Sequence, residues 1–312
     1  MTKEADIKQK TLELGFDAVG IATADPVDAG HIDYFEGWLD AGFAAKMGYL
    51  HRNIEKRFDP GQLLKGARSV ICVALNYRPA ADELFEDAPV RIARFSQYED
   101  YHPFIKGRLF QLAEFLKNEI GDEIRFKVCV DSVPIAERAL AQRAGLGFIG
   151  RNHMLINPEM GSQFLLGELI TTLDLEPDEP FAQVPCGDCG RCIRACPAGA
   201  LSFDGSFDAR KCISYLTIEE PDDIPAEFKR KIGNRIFGCD ECILACPHEL
   251  NAAERKNKDF QHHPEWQNLT PDQIQTMTED EFQKIFADSG FIRLGLDRLK
   301  RNARISINTN QE

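Results

Sequence analysis

The stretch Cys186-Gly-Asp-Cys189-Gly-Arg-Cys192-Ile-Arg-Ala-Cys196-Pro197 decides how this chain is read. Its C-x2-C-x2-C-x3-C-P spacing wraps a cubane iron–sulfur cluster in bacterial ferredoxins. A second run, Cys239-Asp-Glu-Cys242-Ile-Leu-Ala-Cys246-Pro247, has the same form without its first cysteine, because Ile236 stands there. Cys212, alone between the runs, can supply the missing thiolate. Two 4Fe–4S clusters need eight ligands, and in such pairs the last cysteine of each run ligates the other cluster. The expected sets are Cys186, Cys189, Cys192 and Cys246 for one cluster, and Cys239, Cys242, Cys196 and Cys212 for the other. Paired C-x2-C motifs also suit structural zinc. Zinc rarely uses four cysteines packed this tightly with a terminal Cys-Pro.

Working outward, two clusters form a one-electron wire, and a wire implies an acceptor. A dicluster module needs only residues 179–250. Residues 1–178 then form the catalytic domain and 251–312 a helical segment packed on the core. Pro177, Pro180 and Pro185 punctuate the first boundary. With 312 residues and 43% hydrophobic content, the chain suits about two globular domains. It has no apolar run long enough to span a membrane, and Met1 to Lys8 has no apolar signal region. A cytoplasmic monomer is expected. Reduced thiols are normal there, so ten cysteines argue for metal rather than disulfides. Cys72 and Cys129 sit in apolar strand-like runs and read as small core residues.

Local patterns fill in the rest. Helices are expected over Thr2–Leu14, Ile32–Ala41, His102–Ile120, Pro134–Ala144 and Pro271–Ala287. Strands are expected over Ala18–Ala22, Ser69–Leu75, Arg125–Val130 and Leu165–Leu173. This alternation implies an α+β or α/β first domain. Asp131 ends one strand just before a helix, a favoured place for ligands in α/β folds. It is equally suited to be that helix's N-cap. Gly145, Gly147 and Gly150 permit close backbone approach to something large. Neither a G-x-G-x-x-G after a strand nor a P-loop is present, so the usual nucleotide folds lack support.

The net charge of −13 argues against a generic nucleic-acid binder. Two stretches are nonetheless basic, Phe228–Arg235 and Phe291–Arg304. Lys229, Arg230, Lys231, Arg298, Lys300 and Arg301 are candidate phosphate contacts within them. Solvated helix faces would give the same pattern.

The chain resembles the epoxyqueuosine reductases. The likeness runs through Met47-Gly-Tyr-Leu50, Arg57-Phe-Asp-Pro60, Asp100-Tyr-His102, Asp131-Ser-x-Pro-x-x-Glu137-Arg138, Ala144-Gly-Leu-Gly147, Leu155-Ile-Asn-Pro158 and Gly167-Glu168. It continues through the cysteine runs, Tyr215-Leu-Thr-Ile-Glu219 and Arg301-Asn-Ala303. Two departures stand out: Gln97 replaces a common glycine, and the helical-repeat domain of many members does not follow Ala303. The resemblance implies a cobalamin-binding reductase domain joined to a dicluster ferredoxin-like domain, related in fold to corrinoid reductive dehalogenases. It implies reduction of epoxyqueuosine to queuosine at the tRNA wobble position, fed by an unidentified low-potential electron donor. It makes Asp131 the proton donor and cofactor neighbour. Such a carboxyl stays protonated near neutrality only if burial raises its pKa. Arg57, Ser96, Asn152, Ile156, Gly167 and Asp240 become candidate cofactor contacts. Thr217, Ile218 and Glu219 become neighbours of the anticodon loop. The alternatives are a corrinoid reductase acting on a small molecule and a non-catalytic electron-transfer module.

Overall fold

A computed structural model describes residues 2–84, 87–181 and 186–309, with side chains described to residue 307. Pro185, one of the expected boundary markers, lies outside the described residues. The first part is built on strands β1 (Ala18–Thr23), β2 (Ser69–Asn76), β3 (Phe126–Cys129) and β4 (Phe164–Thr171). They form one sheet in the order β1-β2-β4-β3, antiparallel at every step. Of the two expected classes, α+β therefore describes it. All eight residues of β2 are buried, so its unbroken apolar run reflects cover on both faces.

Helices supply that cover. Helices α1 (Lys3–Glu13) and α3 (Tyr101–Ile120) share one core with Ile71, Val73 and Leu75. Helices α2 (Ala29–Asp40) and α4 (Glu137–Arg143) lie on the other side, over Val70, Cys72 and Ala74. Cys72 and Cys129 are fully buried there, as their apolar surroundings predict. Gly20 lets α4 approach the sheet: a Cβ there would lie 2.0 Å from the Ala144 carbonyl oxygen.

Two expected helices are redrawn. The segment from Pro134 does not start a helix; α4 begins at Glu137, with Ala136 at its N-cap. Asp131 therefore does not cap it. The reason is local: Asp131 has a left-handed backbone, φ +46°, and the Glu137 side chain reaches back to accept its N–H at 2.7 Å. The helix expected over 271–287 is two helices, Pro271–Thr276 and Glu279–Ile285. Thr270 and Thr278 each open a capping box, with Gln273 and Glu281 as reciprocal partners.

The remaining chain closes around the cysteines. Helix α5 (Ile213–Ile218) packs in a core that also takes Trp38, Met47 and Ile305 from distant segments. Arg91–Ile92 pairs in parallel with Arg235–Phe237. Over that pair lies a core of Val90, Ile92, Ile236, Phe237, Phe286, Phe291, Leu299 and Ala303. Helix α6 (Leu296–Thr309) thus packs against both strands of that pair. No helix among the described residues is long and apolar enough to cross a membrane.

Candidate active site and cluster sites

A cavity of about 760 Å³ opens where these parts meet. Its walls come from α2 (Tyr34, Phe35), the 49–58 segment (Tyr49, Arg52, Arg57) and the loop from Asp131 to Arg138. His102 at the start of α3, Glu219 just after α5, and Arg293 complete it. Four arginines, Arg52, Arg57, Arg138 and Arg293, therefore line one cavity of an acidic chain.

The Asp131 side chain is 57% exposed within this cavity. His102 stands behind it, Nε2 at 3.0 Å from Asp131 Oδ2 and Nδ1 at 2.7 Å from Asp100 Oδ1. Arg293 donates to the other Asp100 oxygen at 3.0 Å. Asp100 is held in place by capping α3 through the His102 N–H. Burial pushes the Asp131 carboxyl up, but hydrogen bonds from His102 and Tyr101 outweigh it and hold the group below its ordinary range. Burial pushes His102 down, but its two aspartates outweigh that and raise it. The open cavity thus favours the charged form of each group, His102 through its two aspartates and Asp131 through His102. Burial within the open cavity does not by itself raise Asp131, because the hydrogen bonds from His102 and Tyr101 outweigh it.

Two wall atoms are orphaned. Arg57 Nε and His153 Nε2 are buried without hydrogen-bond partners. The Arg57 guanidinium lies over the Phe35 ring at 5.4 Å, and the His153 ring stacks on Tyr34 at 5.4 Å. Burial and Arg138 push His153 down to about 4, so it is neutral. The exposed Tyr34 and Tyr49 rings offer flat surfaces beside these polar atoms.

The cysteines gather into two groups. Cys186, Cys189, Cys192 and Cys246 line one small cavity of about 40 Å³. Cys246 lies in electrostatic reach of Cys186 and Cys192. Cys242 lies in reach of Cys212, Cys239 and Cys196. The Ala200 N–H donates to Cys196 Sγ at 3.2 Å. Among the described residues, no three or more His, Cys, Asp or Glu side chains are set to hold a single metal ion.

The other expected site residues fall in different places. Arg57, Asp131 and Glu219 line the large cavity. Asn152 and Ile156 instead line the small cysteine cavity, on the far side of the turn whose Ile149 and His153 face the large one. Ser96 is buried and donates to the Ala93 carbonyl. Gly167 sits in β4 facing α3, where a Cβ would meet Ile105 at 2.6 Å, so it serves packing there. Asp240 accepts the Arg94 N–H at 2.7 Å and lines neither cavity.

Three expected RNA contacts need correction. Thr217 is fully buried, donating to the Ile213 carbonyl and accepting the Gly238 N–H. Arg298 donates to the carbonyls of Leu294, Ile218 and Arg293. Arg301 donates to those of Leu216, Glu220 and Asp222. Both guanidiniums pin α6 to α5 and its following turn rather than face outward. Ile218 and Lys300 are half-buried, as is Lys229, which pairs with Asp223 at 3.8 Å. Arg230 is exposed, and Lys231 lies over the Phe228 ring. Sequence reasoning assigned no role to His102, Glu137, Arg293 or Tyr49. The Asp-x-His pair at a helix start is the signal that marks His102.

A dicluster cysteine framework beside a deep polar cavity defines an iron–sulfur oxidoreductase. Known proteins narrow this. The model for a 4Fe–4S double cluster binding domain matches residues 185–249, and that for epoxyqueuosine reductase QueG, DUF1730, matches 57–132. The epoxyqueuosine reductase of Vibrio cholerae is 38% identical over 305 residues, covering 96% of this chain and 82% of that one. That of Leadbetterella byssophila is 40% identical over 297 residues, covering 95% and 96%. The chain belongs to the epoxyqueuosine reductase family. A crystal structure of such a reductase with an epoxyqueuosine-modified tRNA-Tyr stem loop matches with a TM-score of 0.90 and 32% identity, over 98% of this chain and 81% of that one. The Bacillus subtilis enzyme, with its catalytic-aspartate loop swung out of the active site, matches at 0.88 and 31%, over 98% and 81%. A reductive dehalogenase matches at a TM-score of only 0.45 and 16% identity, a likeness too slight to bear on the chemistry.

Proposed function

We propose that this chain reduces the epoxide of epoxyqueuosine, in the anticodon loop of a tRNA, to the alkene of queuosine. The overall change consumes two electrons and two protons and releases water. Electrons come singly through two 4Fe–4S clusters held by the two cysteine groups described above. Cobalamin would be held in the large cavity beside Arg57 and His153, where it would supply low-potential metal chemistry for opening the C–O bond. The cavity residues fit such a group. Arg57 Nε and His153 Nε2 lack partners on the wall, and a corrin rimmed with amides offers them acceptors and donors. The observation that carries the reading is Asp131, its carboxyl open to the cavity and backed by His102.

The residues of the chain then do the following. Tyr34 and Tyr49 give flat faces on which a splayed-out base can stack. An unpaired loop makes extruding that base inexpensive. Arg52 and Arg293 at the cavity give phosphates a positive neighbour. A bound ligand covering Asp131 removes water and favours its neutral form. The proton on His102 then passes to Asp131, and from Asp131 to the oxygen released by the opened ring; the second proton, with which that oxygen leaves as water, comes from solvent. Asp100 steadies the imidazolium while this happens.

The test uses anaerobically purified protein with an epoxyqueuosine-containing stem loop, a chemical reductant, and cobalamin added or withheld. Queuosine formed only with cobalamin is expected. Equal conversion without cobalamin, or no conversion with both cofactors spectroscopically present, would overturn the proposal.

A further inference from the structure

Behind the Asp131 loop lies a second acidic group that the reaction above does not use. Glu168, midway along β4, is fully buried, and neither of its oxygens receives an N–H or hydroxyl donor. Its register neighbours are Cys72 on β2 and Cys129 on β3, both buried thiols. What faces it is another carboxyl, Glu137, at the start of α4. Glu137 in turn accepts the Asp131 N–H at 2.7 Å. That amide belongs to a residue whose left-handed φ of +46° is unusual outside glycine. The bond is therefore part of what holds the loop in its working place.

We propose that Glu137 and Glu168 are positioning residues for Asp131, a carboxylic acid–carboxylate pair sharing one proton. Two ionised carboxylates cannot face each other in a buried site without a cation between them. The groups around the pair supply none there. Asp131 adds like charge, the Cys72 and Cys129 thiols are neutral, and Tyr101 is a neutral phenol. His102, Arg57 and Arg138 lie near Glu137 but hydrogen-bond elsewhere or, for Arg57 Nε, not at all. Glu168 has no other partner, so it carries the proton and donates to Glu137. Glu137 keeps the negative charge, where the Asp131 N–H stabilises it. Burial and the Asp131 charge raise Glu137 to about 7, consistent with one proton retained at neutrality. Loss of that proton places two charges in the sheet and drives Glu137 away from the Asp131 amide.

The inference rests on the reading of Asp131 as the acid but is measured without turnover. Anaerobic, cluster-loaded protein carrying 13C-labelled glutamate is followed by infrared spectroscopy, and amide exchange is read at Asp131, from about pH 6 to about pH 9. The expected result is a protonated glutamate carbonyl band that disappears as pH rises. Asp131 protection, corrected for base catalysis, falls about tenfold or more over the same range. Glu168→Gln, which keeps the shape and a permanent donor, loses the pH-dependent loss of protection. A wild-type protein without the glutamate band at neutral pH, or with protection that ignores its titration, overturns the proposal. So does a Glu168→Gln protein whose protection falls as in wild type. The wild-type arm stands whether or not that variant assembles its clusters. Should Asp131→Asn keep full turnover, the acid assignment fails while the carboxyl pair is still tested on its own.

Discussion

In the proposed reaction Asp131 delivers the proton, so its replacement has a defined cost. Asp131→Asn keeps the shape and removes the proton. Cobalamin and stem-loop binding are expected to persist while single-turnover conversion falls about a hundredfold or more. Retained conversion would leave Asp131 with a purely architectural part. The pH dependence follows from its partner. His102 is raised above its ordinary 6.5, so its charged form stabilises the fold fully below that value and is lost as pH rises through the folded pKa. Asp131 is lowered below 3.8, so its contribution is present above that value and lost as pH falls through the folded pKa. Between these limits the ion pair is intact. Turnover is expected to decline on an alkaline limb whose midpoint lies above 6.5, and His102→Gln should remove that limb and lower the rate. A limb unmoved by His102→Gln would assign it to another group. At the cysteines, Cys212→Ser should deplete iron from one cluster and leave the other. Full iron in that variant would rule Cys212 out as the eighth ligand.

At the scale of elements, the basic tail changes meaning. In sequence it reads as a phosphate-binding stripe, yet Arg298 and Arg301 donate to six main-chain carbonyls on neighbouring turns. Replacing Arg298, Lys300 and Arg301 together with alanine is therefore expected to lower stability by about 2 kcal/mol, through charged hydrogen bonds lost at carbonyls that are mostly half-buried. The slope of tRNA affinity against salt should barely move. A slope reduced by two or more units with unchanged stability would restore the tail as an RNA contact. Strand and helix positions were legible because their signals are local. Ser69–Asn76 is an unbroken apolar run, and Tyr101–Ile120 has a capping aspartate and a closing glycine. The start of α4 was not legible, since Pro134 mimics a helix start while the Glu137–Asp131 bond decides the matter through side-chain geometry. The two cysteine runs were legible by spacing, and Cys212 only by the need for an eighth thiolate. The Asp100–His102–Asp131 chain was not, because it joins a helix start to a strand end 29 residues away.

The whole molecule is acidic, at −13, and the cavity proposed to receive the RNA is lined with four arginines. Long-range steering of tRNA by such a body is poor, so association should depend on close contacts at the cavity. Arg52→Ala and Arg293→Ala are expected to weaken stem-loop binding similarly across loop sequences and each to lower the salt slope by nearly one unit. Because Arg293 also bonds Asp100, its variant should lose turnover as well, whereas the Arg52 variant should not beyond the binding loss. Anaerobic protein should carry about eight iron per chain, the content of two cubanes. A value near four would mean that only one cysteine group is occupied.

The core that joins Val90 and Ile92 to Ile236, Phe237, Leu299 and Ala303 has a bearing on how the protein is made. Its contributors are separated by more than two hundred residues, so nothing nearby in the chain can complete it early. During synthesis, the second cysteine run leaves the ribosome well before Ala303, by on the order of 3–11 s at ordinary elongation rates. Throughout that interval its thiols have emerged while Ile305, which shares a core with Cys212 and Cys239, has not. The same interval offers iron–sulfur assembly factors an open door and dissolved oxygen an easy target. Oxygen tension during growth, more than any property of the finished fold, should therefore set the fraction of chains that mature with both clusters in place.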